Sequence, residues 1–215
     1  MPPVSANRRI FIQKVAALSL ALSFPALAKE SAQNKICIVY YSRTLNTHIL
    51  ALYLRTLLQA DLYQIHTTQP YPSDYQAMVA QATREKDKHF TPALQEDLSF
   101  LDSYRTLLVG SPLWSLSLSS PIRTLCTKAP LESKSLAPFI TNAGFGFGNA
   151  LKEIRSLCPK TQILNAFEMP FKQLEKTNKN LKSFNQTALQ QGTAFAQLPQ
   201  DKIHQWLLSL KLENL

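Results

Sequence analysis

Ile36-Cys-Ile-Val-Tyr-Tyr-Ser-Arg-Thr-Leu-Asn-Thr-His-Ile-Leu50 is the stretch of the chain that decides its fold. It opens with an apolar, β-branched run from Ile36 to Tyr41, which is typical of a strand buried on both faces of a parallel sheet. Apolar residues then return at helical spacing from Ile49 to Leu57. The stretch therefore predicts a strand, a polar loop and a helix. The polar side chains of that loop are Ser42, Thr44, Asn46 and Thr47.

A polar loop at the start of a helix is a good anion site. Free backbone N–H groups and the positive end of the helix dipole meet there, and hydroxyl groups add further donors. The alternative is that Ser42 and Thr44 only turn the chain, while Asn46 or Thr47 caps the helix. Four such residues directly after a buried strand favour a phosphate site.

The segment Tyr40-Tyr-Ser-Arg-Thr-Leu-Asn-Thr47 resembles the phosphate loop of flavodoxins, in particular of flavodoxin-like proteins that carry Tyr-Ser-Arg-Thr-Gly-Asn-Thr. Leu45 stands where that family has glycine, the residue that most easily takes a positive φ. The residues that the resemblance implies around the phosphate of FMN are Ser42, Thr44, Leu45, Asn46 and Thr47.

A second loop with this resemblance follows the third predicted strand, Tyr104 to Gly110. Its sequence is Gly110-Ser-Pro-Leu-Trp-Ser115, and the family counterpart is Gly-x-Pro-Ile-Trp. The resemblance implies that Pro112, Leu113 and Trp114 lie at the flavin ring, with Trp114 packed on it. From the residue type alone, Trp114 could equally be a core anchor.

A third loop follows the fourth predicted strand, Ser135 to Thr141. It reads Asn142-Ala-Gly-Phe-Gly-Phe-Gly148 and holds three of the chain's five glycines, which indicates backbone conformations or close approaches that side chains forbid. The family loop is Gly-Gly-Ser-Gly-x-Gly. A simple glycine-rich turn is the alternative interpretation. The residues that the resemblance implies at the flavin are Asn142, Gly144, Phe145 and Gly146.

Strand and helix patterns alternate along the rest of the chain. An edge strand is predicted over Asp61 to Thr67, a helix over Tyr75 to Lys88 and a fifth strand over Thr161 to Phe167. The segment Tyr71-Pro-Ser-Asp-Tyr75 also resembles the flavodoxin-like subgroup and would lie near the flavin. Further helices are predicted over Leu118 to Thr127, Asn149 to Leu157 and Pro199 to Leu212.

This alternation predicts an α/β fold, a flavodoxin-like three-layer sandwich around a five-stranded parallel sheet. The resemblance implies the strand order 2-1-3-4-5. In that order the first and third strands flank the switch point, and ligands bind beyond their carboxyl ends. The three loops follow strands one, three and four, so we expect them at one edge of the sheet.

The front of the chain, residues 1 to 28, has the features of a signal peptide. Arg8 and Arg9 precede an apolar run, Val15 to Phe24, and Pro25-Ala-Leu-Ala28 forms an Ala-x-Ala cleavage signal. The apolar run is too short to span a membrane. The arginine pair resembles the twin-arginine motif of proteins exported in the folded state; an ordinary Sec signal is the alternative. We expect cleavage after Ala28, a flavodoxin-like domain over residues 29–215, a periplasmic protein and no stable membrane insertion afterwards.

Composition limits the remaining choices. The net charge is +9, yet no Lys/Arg cluster is long enough for a nucleic-acid footprint. Cys37, Cys126 and Cys158 show no metal-site spacing. Cys126 and Cys158 could pair in an oxidising compartment, but their pattern also fits packing, and we expect no disulfide.

Two classes of function fit the sequence. The first is an FMN flavoprotein that transfers electrons or carries out NAD(P)H/quinone-type reduction, with a redox partner protein or a small-molecule acceptor. No side chain stands out as a catalytic acid or base. Whether the protein is an FMN-dependent oxidoreductase stays open. The second is a flavodoxin-fold binding protein that has lost FMN. The departures from the family pattern that suggest it are Leu45, Ser115, Ala143 and Phe145.

Overall fold

The computed structural model describes residues 36–171 and 181–212 of the chain. The predicted signal peptide, residues 1–28, lies outside these ranges, so its two arginines and its cleavage site stay predictions. Within the described part of the chain, no helix has both the length and the apolar character that crossing a bilayer requires.

Parallel strands form the centre of the molecule. β1 (Ile36–Tyr40) lies between β2 (Asp61–Gln64) and β3 (Thr106–Trp114), and β5 (Ser135–Asn142) pairs with the other side of β3. A short strand, β4 (Ser117–Leu118), pairs antiparallel with the end of β3. The predicted order of the parallel sheet is therefore confirmed, with β2 at the edge.

The fifth strand differs from the prediction, because it is broken into β6 (Gln162–Ile163) and β7 (Phe167–Pro170), both paired with β5. On the side of β5 that faces the fifth strand, the backbone carbonyl oxygens of Lys134 and Leu136 accept hydrogen bonds. The next residue of β5 whose backbone groups face that side is Pro138. Proline has no N–H to continue the ladder. The pairing resumes with β7, where Phe139 lies opposite Phe167.

Helices cover both faces of the sheet, which makes the three predicted layers. Successive strand residues pack on opposite faces of the sheet. Ile38 and Phe139 belong to one apolar cluster, and Cys37 and Ile140 belong to the other. The helices are α1 (Asn46–Leu58), α2 (Tyr75–Asp87), α3 (Ser120–Lys128), α4 (Ala150–Leu157), α5 (Leu181–Gln190) and α6 (Gln200–Ser209). α1, α5 and α6 pack on the first cluster, and α2, α3 and α4 on the second.

The three cysteines are free thiols buried in the core. Cys37 is fully buried in β1. Cys126 and Cys158 lie close together, and the Cys158 thiol donates to the carbonyl oxygen of Cys126 at 3.6 Å.

Candidate functional site

The loop after β1 turns sharply into α1 at Leu45. This residue has φ 69° and ψ −2°, a left-handed conformation, and it precedes the first helical residue, Asn46. The position thus has the backbone geometry that favours glycine, although leucine occupies it. Among the described residues, the N–H groups of Asn46 and Thr47 have no hydrogen-bond partner. They are free for a ligand at the helix N-terminus.

The side chains of this loop have different roles. Ser42 Oγ accepts from the N–H of His48 at 3.3 Å and so satisfies one N–H of the first helical turn. Thr47 Oγ1 lies 2.8 Å from Thr141 Oγ1 and so ties the first turn of α1 to the end of β5. Neither Asn46 nor Thr47 caps α1, because both are already helical.

The sequence suggested that Trp114 lies in a loop. In the structure it is instead the last residue of β3. Its ring is 9% exposed and meets two tyrosine rings edge-on, Tyr71 at 4.7 Å and Tyr41 at 5.4 Å between centroids. Trp114 is therefore a member of the apolar core, and it also lines the cavity described below.

The glycine-rich loop after β5 is held by one side chain. Asn142 Oδ1 accepts from the N–H groups of Gly144 (2.6 Å) and Phe145 (3.0 Å), and Asn142 Nδ2 donates to Glu168 (3.1 Å). A Cβ at Gly148 would lie 2.5 Å from the carbonyl oxygen of Leu116, and φ is positive there. The prediction that this loop needs glycine for close approach is thus confirmed at Gly148.

All three loops open onto one cavity of about 1200 Å³ beyond the carboxyl ends of β1, β3 and β5. The predicted site residues that line it are Thr44, Asn46, Thr47, Pro112, Leu113, Trp114, Asn142 and Phe145. The other predicted residues, Ser42, Leu45, Gly144 and Gly146, shape the loops without lining the cavity. Phe145 is 66% exposed at the rim, so its ring does not fill the space.

A further wall comes from the segment that leads into α2. Tyr71 and Tyr75 line the cavity together with Met78 on the first turn of α2, which Asp74 caps by accepting from the N–H of Ala77 at 2.8 Å. Arg43 Nη1 donates to the carbonyl oxygen of Ser73 at 3.4 Å and joins this wall to the loop after β1. The predicted place of Tyr71–Tyr75 beside the other loops is consistent with this wall.

The described residues line the cavity with both polar and apolar side chains. Among them, Arg43 and Lys182 are the cations and Asp74 is the carboxylate. Burial and the nearby Glu85 carboxylate raise the pKa of Tyr71, which donates to Glu85 at 2.6 Å. Burial, partly offset by Arg43, raises the pKa of Tyr41 to about 12. Both phenols therefore stay protonated near neutral pH.

Helix α5 is the part of the site that sequence reasoning missed. Lys182 lines the cavity, and Asn185 Nδ2 donates to the carbonyl oxygen of Thr44 (2.7 Å) and to Asn46 Oδ1 (2.6 Å). These partners lie about 140 residues apart in sequence. No local pattern in the polar tail indicates this contact.

The flavodoxin family model matches residues 35–187 of the chain. A proposed flavoprotein from Bacteroides uniformis superposes with a TM-score of 0.60 at 22% identity, covering 71% of this chain and 97% of that one. A flavoprotein from Lactobacillus acidophilus, solved in complex with FMN, gives 0.57 at 21%, covering 63% and 93%. A proposed flavoprotein from Bacteroides eggerthii gives 0.58 at 23%, covering 72% and 95%. No curated protein matches significantly.

Proposed function

Because the chain belongs to the flavodoxin family, we propose that it is a flavoprotein that binds FMN in the cavity between the loops after β1, β3 and β5. The observation that carries the proposal is the convergence of these loops on one cavity lined by both polar and apolar side chains. A cavity of about 1200 Å³ is ample, since cofactor sites commonly measure about 300–1,000 Å³.

The polar and the apolar lining residues fit the two parts of FMN. Free N–H groups of Asn46 and Thr47 at the start of α1 suit the phosphate, with the Thr44 hydroxyl on the loop before them and the Thr47 hydroxyl on the first turn of the helix. Leu113, Trp114 and Phe145 offer apolar and aromatic surface to a ring system. When bound, FMN supplies the electron-transfer chemistry, and the protein supplies binding and orientation.

The departures from the family motifs are compatible with this proposal. Leu45 adopts the left-handed conformation that glycine would take, so the backbone path of the loop is kept. Phe145 lies at the rim rather than inside the cavity. The interpretation as a binding protein without FMN therefore has less support. Electron transfer to a partner protein or reduction of a small acceptor, by NAD(P)H or quinone-type chemistry, remains part of the proposal.

Fluorescence titration of the purified chain with FMN and riboflavin tests the proposal. FMN should bind more tightly than riboflavin, because riboflavin lacks the phosphate. Thr47→Val, which removes one hydroxyl at nearly constant volume, should weaken FMN binding and leave riboflavin binding unchanged. Thr56→Val, an exposed threonine at the far end of α1, is the matched control. A wild-type chain without affinity for FMN would overturn the proposal and favour the binding protein without FMN.

We also propose that the chain is exported to the periplasm by the twin-arginine route, on the basis of Arg8-Arg9 and the Ala-x-Ala signal. Export in the folded state suits a protein whose cofactor is inserted before transport. Replacement of both arginines by lysine should leave precursor in the cytoplasm. Undiminished mature protein in the periplasm would contradict this route and leave a Sec signal.

A further inference from the structure

We infer that α5 completes the phosphate site: Lys182 supplies a cation for a phosphate monoester, and Asn185 is a positioning residue for the loop after β1. The inference rests on the proposed FMN site, which it extends to a helix that lies in sequence far from the three loops. Its ligand class is the phosphate monoester end of FMN.

The position of Asn185 is the first observation. This side chain is fully buried, and its Nδ2 donates to both the carbonyl oxygen of Thr44 and Oδ1 of Asn46. These two residues flank Leu45, whose left-handed backbone sets the direction of α1. Asn185 thus holds both sides of the turn that presents the free N–H groups.

The second observation is the orientation that Asn185 imposes on Asn46. Because Oδ1 of Asn46 accepts from Asn185, the other side-chain atom, Nδ2, is left as a donor. Among the described residues, the hydrogen bond from Asn185 is the one that the Asn46 side chain makes, and Asn46 lines the cavity. An amide donor therefore lies beside the free N–H groups of the helix. An anion bound there would accept hydrogen bonds from the amide and from these N–H groups.

The third observation is the charge that α5 brings. Lys182 lies one turn before Asn185 on the same helix and lines the same cavity as Thr44 and Thr47. It makes no ion pair with any described residue. Apart from Arg43, whose guanidinium donates to the carbonyl oxygen of Ser73, it is the cation among the described residues that line this cavity. A phosphate at the loop after β1 would gain charge compensation from it.

The apolar side of α5 would hold this helix in place even if the helix had no role in ligand binding. Ala188 packs into the same core cluster as Ile49 and Leu50 of α1. Packing alone would require neither a buried amide bound to the loop nor a lysine in the cavity.

The test measures the affinities of FMN and riboflavin for wild type, Lys182→Met, Asn185→Ala and the control Lys202→Met, an exposed lysine on α6. Lys182→Met should weaken FMN binding about two- to fivefold, reduce its salt dependence and leave riboflavin unchanged. Asn185→Ala should weaken FMN binding about tenfold, with a smaller effect on riboflavin. The control should bind both flavins as wild type does.

The ratio of the two affinities separates a role at the phosphate from a purely structural one. If wild type prefers FMN but neither variant lowers that preference, the inference is wrong and the proposed function stands. If wild type has no affinity for FMN, the proposed function fails and the inference with it. If Asn185→Ala does not fold, the FMN and riboflavin affinities of Lys182→Met decide the inference, because Lys182 is exposed.

Discussion

Replacement of Leu45 by glycine and by alanine tests the backbone geometry on which the site depends. Leu45 has φ 69° and adopts the left-handed conformation. This conformation costs any residue other than glycine about 1–2 kcal/mol. Both variants lose the same half-buried leucine side chain, so that loss cancels in their comparison. Only glycine removes the backbone strain.

Glycine also has an unfavourable effect, because it gives the unfolded chain more freedom than alanine by about 0.4–1 kcal/mol. The difference leaves Leu45→Gly more stable than Leu45→Ala by about 1 kcal/mol. This reverses the order found inside helices, where glycine is the less stable by about 0.5–1 kcal/mol. For a chain of this size the expected gap is about 2–4 °C in Tm.

Urea unfolding monitored by circular dichroism measures the difference directly, provided that the two variants show equal m-values. Leu45→Asn should fall between them, because asparagine tolerates the left-handed region better than alanine. FMN affinity of Leu45→Gly should be at least that of wild type. An alanine variant as stable as the glycine variant, or more stable, would refute a left-handed Leu45.

Three further predictions follow from buried side chains. Trp114→Ala should lower the free energy of unfolding by about 3–5 kcal/mol, and Trp114→Phe by much less, because the indole packs against Tyr41 and Tyr71; equal urea midpoints for wild type and Trp114→Ala would contradict this. Burial lowers the pKa of His48 from its ordinary value of 6.5. The contribution of neutral His48 to the free energy of unfolding should therefore be complete above that pH and decline as the pH falls below it. His48→Gln should show a smaller decline in the same unfolding series, and identical pH profiles would exclude His48 as the cause. Cys37, Cys126 and Cys158 are buried free thiols, so a thiol reagent should label none of them in the native chain and all three in urea; rapid native labelling would contradict their burial.

Several features of the fold and the site could be predicted because they arise from residues close in sequence. The apolar run from Ile36, the polar residues that follow it and the helical spacing from Ile49 together determine a strand, a loop and a helix. The glycines at 144 to 148 indicated a tight loop before its partners were known. Since parallel strands end at the same edge, these local patterns were sufficient to bring three loops together.

The tertiary structure alone decided features that depend on contacts between distant segments. The fifth strand breaks because its neighbour β5 offers Pro138 where a ladder N–H is needed. Trp114 is both core residue and cavity wall because Tyr41 and Tyr71 converge on its ring. Asn185 reaches Thr44 and Asn46 across about 140 residues, and no sequence period encodes such a contact. Local chemistry sets the type of each element, whereas packing between elements decides which side chains meet.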